Sequence, residues 1–406
     1  MQRLRSWLTR FQQWKRLAII LWTILIVAIS VRGLLAPRHN SVYPIFSTAA
    51  RNWVHGNNLY EDLHDPYRYS PLVTVLFVPL SLLPDRVGGV LWRLLNAGAY
   101  LGALWCWSQV ALPGSLTKRQ LGLLFLLVIP LSLGSINNGQ SNPLILGLML
   151  TGIVCVLGER WNIASGCVAL ACLFKVYPIA IGMLLAVIHP RRFGGRFALV
   201  LAMGLLAPFV LQRPEYVSVQ YASWFHRLQV EDRQVESPEY WYRDLRLLCN
   251  ACHIPVSPPA YLAIQLAAAA ASAAVCLGAR RRGSDSRELH LTLLGLACCW
   301  MTLFGSAAES CTYILLAPTI SWALISAWMT HHPFWIRSTL VMSFTLFTAS
   351  AMSSWFPGGR HFHTLGPQPL AALFLWIFLL ATALPRSIKP LETHEREFES
   401  LPSRAA

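Results

Sequence analysis

Apolar runs of about 17–25 residues recur along almost the whole chain, and each is long enough to cross roughly 30 Å of hydrocarbon as a helix. Hydrocarbon offers no water to backbone N–H and C=O groups. A chain that enters it must pair them internally, as helices or as a closed barrel. Barrel strands alternate in polarity over about ten residues. These runs are continuous instead, so the expectation is an all-α polytopic integral membrane protein. Only 13% of residues are charged, against about 25% in a soluble domain.

The first 16 residues, MQRLRSWLTRFQQWKR, carry five basic side chains and no acidic one. The positive-inside rule keeps such a segment in the cytoplasm. The run that follows, LAIILWTILIVAISVRGLL, lacks a small-residue cleavage site and reads as an uncleaved first span. Residues 17–385 then form a single polytopic domain with external loops at 36–70 and 213–258, and 386–406 is a polar cytoplasmic tail. The net charge of +15 fits basic cytoplasmic loops such as PRRFGGR and RRRGSDSR. No nucleic-acid motif accompanies it, so no nucleic acid is expected as a partner.

Two stretches depart from simple spans. PLVTVLFVPLSLLP (71–84) is short and bounded by prolines, which suggests a re-entrant or interfacial hairpin. Residues 162–189 as one helix would bury Lys175 near its middle and leave Arg191, Arg192 and Arg196 outside. Two short helices broken around Lys175–Pro178 avoid both problems, and broken helices at membrane depth line cavities. The total is about 12 membrane segments, with both termini in the cytoplasm of a cell (plasma or inner) membrane.

Several positions can carry chemistry. Residues 134–143, GSINNGQSNP, place the amides Asn137, Asn138, Gln140 and Asn142 between two spans with no charge among them. Such amides line a cavity with neutral donors and acceptors, or they cap the neighbouring helices. Lys175 inside an apolar run is costly, so it faces a cavity and anchors an anion, or it snorkels to the surface. In loop 36–70, Tyr43, Phe46, Ala50 and Trp53 have the spacing of an amphipathic helix lying in the interface. The same loop holds Glu61, Asp62 and Asp65 with Tyr60, Tyr67 and Tyr69, and a carboxylate there can deprotonate an acceptor hydroxyl. Glu309 lies where two spans meet the outer face. Arg360, His361 and His363 occupy another external loop and can hold a phosphate or sugar. Cys249 and Cys252 form a CNAC without a second pair. P-loop, Rossmann and HExxH patterns are not seen. Neither a cofactor nor a metal is expected.

The run NNGQSNPLILGLMLTGIVCVLGERWNIASGCVALACLFKVYPIAIGMLLAVIHPRR resembles the core of glycosyltransferase family 87, the domain of unknown function 2029 group. Gln140, Asn142, Lys175 and Pro178 match that pattern in order and spacing. The first loop, VYPIFSTAARNWVHGNNLY followed by YRYSPLVTVLFVPLSLLP, and the later AESCTYILLAP are similar to further family segments.

The resemblance implies a GT-C-like fold. It also implies inverting transfer of a hexose, mannose first, from a polyprenyl-phosphate donor to a lipid or glycan acceptor on the external face. Lys175 and Arg360 would then hold phosphate. Gln140, Asn142, Asn138, Tyr43, Tyr69, Glu309 and His361 would line the substrate site. Asp62 or Asp65, or else Glu61, would be the base.

Two departures stand out. The acid usual about four residues before the V-Y tyrosine is replaced near His39–Asn40–Ser41. Cys311–Thr312 precedes Tyr313 where the family often has a histidine. The base has moved, to a first-loop acid, Glu309 or His39, or the chain is a non-catalytic member. A polytopic transporter or lipid flippase is the alternative from another class.

Overall fold

The computed structural model describes residues 2–61, 66–230, 233, 237–305, 307–353 and 356–383, with backbone alone for 2–12 and 360. The described residues form an all-helical, multi-pass membrane protein with no strand. Among the described residues, eighteen α-helices follow one another. The first group is α1 Gln2–Leu35, α2 Tyr43–His55, α3 Pro71–Ser81, α4 Asp85–Val110, α5 Lys118–Leu127, α6 Ile129–Asn137, α7 Asn142–Leu157, α8 Trp161–Phe174 and α9 Ile179–Ile188. The second is α10 Gly195–Leu211, α11 Pro214–Val230, α12 Leu245–Ala251, α13 Pro258–Arg281, α14 Ser286–Leu303, α15 Ala317–Met329, α16 Phe334–Ser353, α17 Gly359–Thr364 and α18 Pro367–Ala383. A π-helical turn, Pro190–Gly194, leads into α10, and a 3-10 segment, Ser310–Leu316, leads into α15.

Four helical stretches have the length and apolarity of a span: Gln13–Leu35, Pro190–Leu211, Pro258–Arg281 and Ser310–Met329. Helices α5 and α6 form a fifth candidate, bent by 46°. The bend falls at Pro130, which enters α6 at its first turn and has no N–H to continue the ladder of α5.

The basic N-terminal residues are continuous with the first span, because α1 starts at Gln2 rather than near residue 17. Residues 71–84 do not make a hairpin. They form one short helix, α3, and α4 starts at Asp85. The expected amphipathic helix in the first loop is α2, and Tyr43, Phe46, Ala50 and Trp53 are all buried along it. Phe46 stacks on Phe77 of α3 with ring centroids 4.3 Å apart, so the apolar face of α2 packs on protein. Loop 213–258 contains α11 and α12.

Close packing of α4 against α7 rests on Gly147. A Cβ there would meet the Ala99 carbonyl oxygen at 2.9 Å. Small residues let membrane helices approach this closely.

Helices α8 and α9 are antiparallel pieces separated at Lys175. Pro178 disfavours helical backbone at Tyr177, and Lys175 is extended (φ −142°, ψ 144°). The carbonyl of Leu173, orphaned at the end of α8, accepts a hydrogen bond from Ser70 Oγ at 2.6 Å. The other ends of these pieces meet at the far end of the bundle, where His189 faces His290 and Arg192 pairs with Glu159. The chain therefore turns back at Lys175, and that corner lies at the same end as the Asn137–Asn142 corner.

Candidate active site

Three corners of the fold converge at that end. The first is the turn between α6 and α7. Gly139 takes the left-handed conformation (φ 65°) that lets the chain reverse. Helix α4 pins the turn. Trp92 Nε1 donates to Gly139 O at 2.7 Å, Arg93 Nε to Asn137 O at 3.0 Å, and Asn96 Oδ1 accepts from Leu144 N at 3.2 Å. Asn137 Oδ1 accepts from Arg32 at 2.7 Å, and Asn138 O accepts from Val42 N at 2.9 Å. Asn137 and the backbone of Asn138 thus hold the corner together.

Gln140 and Asn142 point the other way, toward the second and third corners. Asn142 Oδ1 accepts from Lys175 Nζ at 2.8 Å and from Tyr177 OH at 3.0 Å, and Asn142 Nδ2 donates to Cys311 O at 3.1 Å. Two donors on one atom and an acceptor at the other fix the orientation of this amide. The Lys175 ammonium also lies 5.8 Å from the ring centres of both Tyr69 and Tyr177. Among the described residues no carboxylate lies within 4.0 Å of it.

The third corner carries Glu309, just ahead of the 3-10 segment. Its backbone N–H donates to Thr312 Oγ1 at 3.1 Å. One carboxylate oxygen accepts from Arg233 at 2.9 Å and has Arg68 at 3.8 Å, while the other accepts from Gln140 Nε2 at 3.4 Å. Burial alone would raise the Glu309 pKa. Lys175, Arg233 and Arg68 outweigh that and hold the carboxyl below its ordinary value. Arg233 in turn lies 4.6 Å from the ring centre of Tyr242. Cys311 completes the wall, its sulfur 3.6 Å from Asn138 Nδ2.

The sequence-derived candidates fall into separate places. Lys175, Gln140, Asn142, Asn138, Tyr69 and Glu309 come together. Tyr43 is fully buried elsewhere, its hydroxyl on Leu80 O at 2.8 Å. Glu61 is exposed and lines a cleft of about 500 Å³ with Asn52, Asn57, Asn58 and Tyr67. Tyr67 packs on Tyr69 with centroids 5.6 Å apart, so one aromatic run links that cleft to Lys175. Asp62 and Asp65 lie outside the described residues, as does the side chain of Arg360 on α17. His361 is exposed on the same helix, whereas His363 is buried with Nε2 2.8 Å from Ser353 Oγ.

His39 lies 3.0 Å from Arg32, and Ser41 Oγ accepts from Arg93 at 2.9 Å. The place of the missing acid therefore abuts two guanidinium groups. Cys249 and Cys252 are free thiols, and the described residues contain no group of three metal-ligating side chains. Arg68, Arg233 and Tyr177 are the contributors that sequence reading does not single out. A signal for Arg68 does exist, in its position between Tyr67 and Tyr69.

The described residues thus define a multi-pass helical membrane protein that gathers cations, uncharged amides and aromatic faces at one end of its bundle. The sequence model of glycosyltransferase family 87 matches residues 67–306, more than half of the chain, and the protein belongs to that family. It is therefore a membrane glycosyltransferase by family. The match takes in Arg68, Tyr69, Gln140, Asn142, Lys175 and Arg233. It stops short of Glu309 at one side and of Glu61, Asp62 and Asp65 at the other. No curated protein matches the chain.

Proposed function

We propose that the protein transfers a hexose, mannose foremost, from a polyprenyl-phosphate donor to a lipid or glycan acceptor at the external face of the cell membrane. The observation that carries this reading is Lys175. It is an ammonium at the break between two apolar helices, held by an amide oxygen and two aromatic faces, with no carboxylate within 4.0 Å among the described residues. Such a cation is poised for an anion, and a phosphate carried by a membrane lipid is the anion that reaches this depth. A transmembrane count of about twelve, with both termini cytoplasmic, would put this end of the bundle outside.

Transfer with inversion is a single displacement. The acceptor oxygen attacks the anomeric carbon, the bond from that carbon to the phosphate oxygen breaks, and the lipid phosphate leaves with the electron pair. Lys175, with Arg233 and Arg68, meets the charge that grows on the phosphate. Gln140 and Asn142, neutral and able both to donate and to accept, suit sugar hydroxyls. The acceptor proton goes to a carboxylate. Glu309 suits this role poorly, because three cations hold it ionised and make it a weak base. Its better role is to hold Arg233 and Arg68 in place. That leaves a first-loop acid, Asp62 or Asp65 ahead of Glu61, as the base.

The test is transfer from radiolabelled polyprenyl-phosphate mannose to extractable lipid or glycan in membranes containing the protein. Transfer is expected with the wild type and not with Lys175→Ala. Transfer that persists unchanged in Lys175→Ala and in Asp62→Ala/Asp65→Ala sinks the site assignment. No transfer from any polyprenyl-phosphate sugar, beside uptake of solute into sealed vesicles, sinks the enzyme reading.

A further inference from the structure

At the end of the bundle opposite Lys175, helices α1, α4 and α5 line a half-open groove of about 380 Å³. Its long wall is one stripe of α1 with helical spacing: Lys15, Ile19, Trp22, Thr23 and Ile26. That stripe runs about 16 Å along the helix. Leu101 and Trp105 of α4 and Leu121 and Phe125 of α5 close the other sides. The floor is tight. A Cβ on Gly122 would stand 2.6 Å from the backbone of Trp14, so α1 and α5 touch there through backbone.

The lining is apolar apart from Lys15 and Thr23, and the one buried polar handle is already used, since Trp22 Nε1 donates to Phe125 O at 2.8 Å. A groove with this lining does not hold ordered water, which needs polar partners.

Charge is placed at one end only. Lys15 is exposed at the end of the stripe nearest the chain terminus, and Lys118 and Arg119, also exposed, open α5 beside it. Among the described residues none of the three is salt-bridged to a carboxylate. Trp14 and Trp105 are exposed at this level, as interfacial tryptophans are. An elongated apolar slot, open at a basic rim, matches one molecule class: an anionic phospholipid with an acyl chain in the slot and its phosphate at the rim.

We propose that the groove between α1, α4 and α5 is a binding site for an anionic phospholipid of the surrounding leaflet, separate from the donor site. The lipid's acyl chain lies along Ile19, Trp22 and Ile26, and its phosphate meets Lys15 and Lys118. The site does not depend on the transferase reading.

The experiment is native mass spectrometry of the purified full-length protein, titrated with phosphatidylglycerol or with phosphatidylcholine of the same acyl chains. One phosphatidylglycerol is expected to stay bound under conditions that strip phosphatidylcholine. Lys15→Ala and Lys118→Ala should each weaken its retention about fivefold. Thr23→Trp, which fills the slot and leaves the rim intact, should abolish it while the protein keeps its thermal unfolding temperature. Inorganic phosphate at millimolar concentration should not compete. Equal retention of the two lipids overturns the proposal. So does phosphatidylglycerol binding that survives Thr23→Trp, because a basic rim alone would then account for it.

Discussion

The Lys175 ammonium donates to Asn142 Oδ1 at 2.8 Å across a sequence separation of 33 residues, and the same amide passes its own N–H to the carbonyl of Cys311. One side chain thereby ties the break between α8 and α9 to the start of α7 and to the segment before α15. It does so with a neutral acceptor, so Lys175 is positioned without a direct ion pair to a carboxylate among the described residues. Removing a preorganised group that meets developing charge costs about 10²–10³-fold in rate. Lys175→Met is expected to lower transfer by that factor. Asn142→Asp should lower it comparably by a different route, because the new carboxylate pairs with Lys175 and repels the donor phosphate. Measured transfer rates check both. An unimpaired Asn142→Asp enzyme would mean that Lys175 does not meet the phosphate.

Glu309 sets a pH dependence of stability. Burial raises its pKa, but Lys175, Arg233 and Arg68 outweigh burial, so the folded-state value lies below the ordinary 4.5. A carboxyl depressed in the folded state contributes stability that is fully present above the unfolded pKa and is lost as pH falls through the folded one. Glu309→Gln should therefore melt below the wild type at pH 7 and at pH 5. The gap should narrow only below about pH 4.5. Thermal unfolding in detergent at several pH values measures it, and a gap that already closes between pH 7 and 5 contradicts the ion-pair account.

Much of this was readable in advance, for identifiable reasons. Continuous apolar length marks the helices, and a lysine followed by a proline three residues on marks the break at Lys175, because both are local signals. The amide run at 134–143 is also local, yet its residues divide. Asn137 fastens the corner to Arg32 and α4, while Gln140 and Asn142 face the site, and no pattern within ten residues separates the two groups. Arg68 and Arg233 reach Glu309 from separations of more than 70 residues, through two different loops. Only the packing of the whole bundle brings them together. Tyr43 shows the converse. It stands in a family-like V-Y pair, but its ring is buried and its hydroxyl satisfies Leu80, so its pattern reflects the docking of α2 onto α3.

Gly147 carries the approach of α7 to α4. A methyl group there would sit 2.9 Å from the Ala99 carbonyl oxygen and 3.0 Å from its carbon, both backbone atoms that cannot rotate away. Gly147→Ala must push the helices apart, and overpacking of this kind costs about 1–3 kcal/mol. A lowered melting temperature is expected. Because α4 also pins the Gly139 turn through Trp92 and Arg93, transfer should fall with it. Gly98 on α4, where a Cβ meets nothing within 4 Å, is the control: Gly98→Ala should leave transfer unchanged and should not lower the melting temperature.

Asp244 caps α12, its Oδ1 accepting from Arg246 N at 3.0 Å and Leu247 N at 3.3 Å. Burial raises its pKa to about 6, and the hydrogen bonds and Arg246 offset that only in part. A carboxyl raised in the folded state contributes stability that is present below the unfolded value of 3.8 and is lost as pH rises through about 6. The ionised cap is thus the less favourable form at neutral pH. Asparagine keeps the capping oxygen without the charge. Asp244→Asn should match the wild type in stability near pH 4, gain on it between pH 4 and 6, and hold a constant advantage above. Melting temperatures across that range decide it. A variant less stable than the wild type at pH 7 would show that the charge on Asp244 stabilises the folded chain.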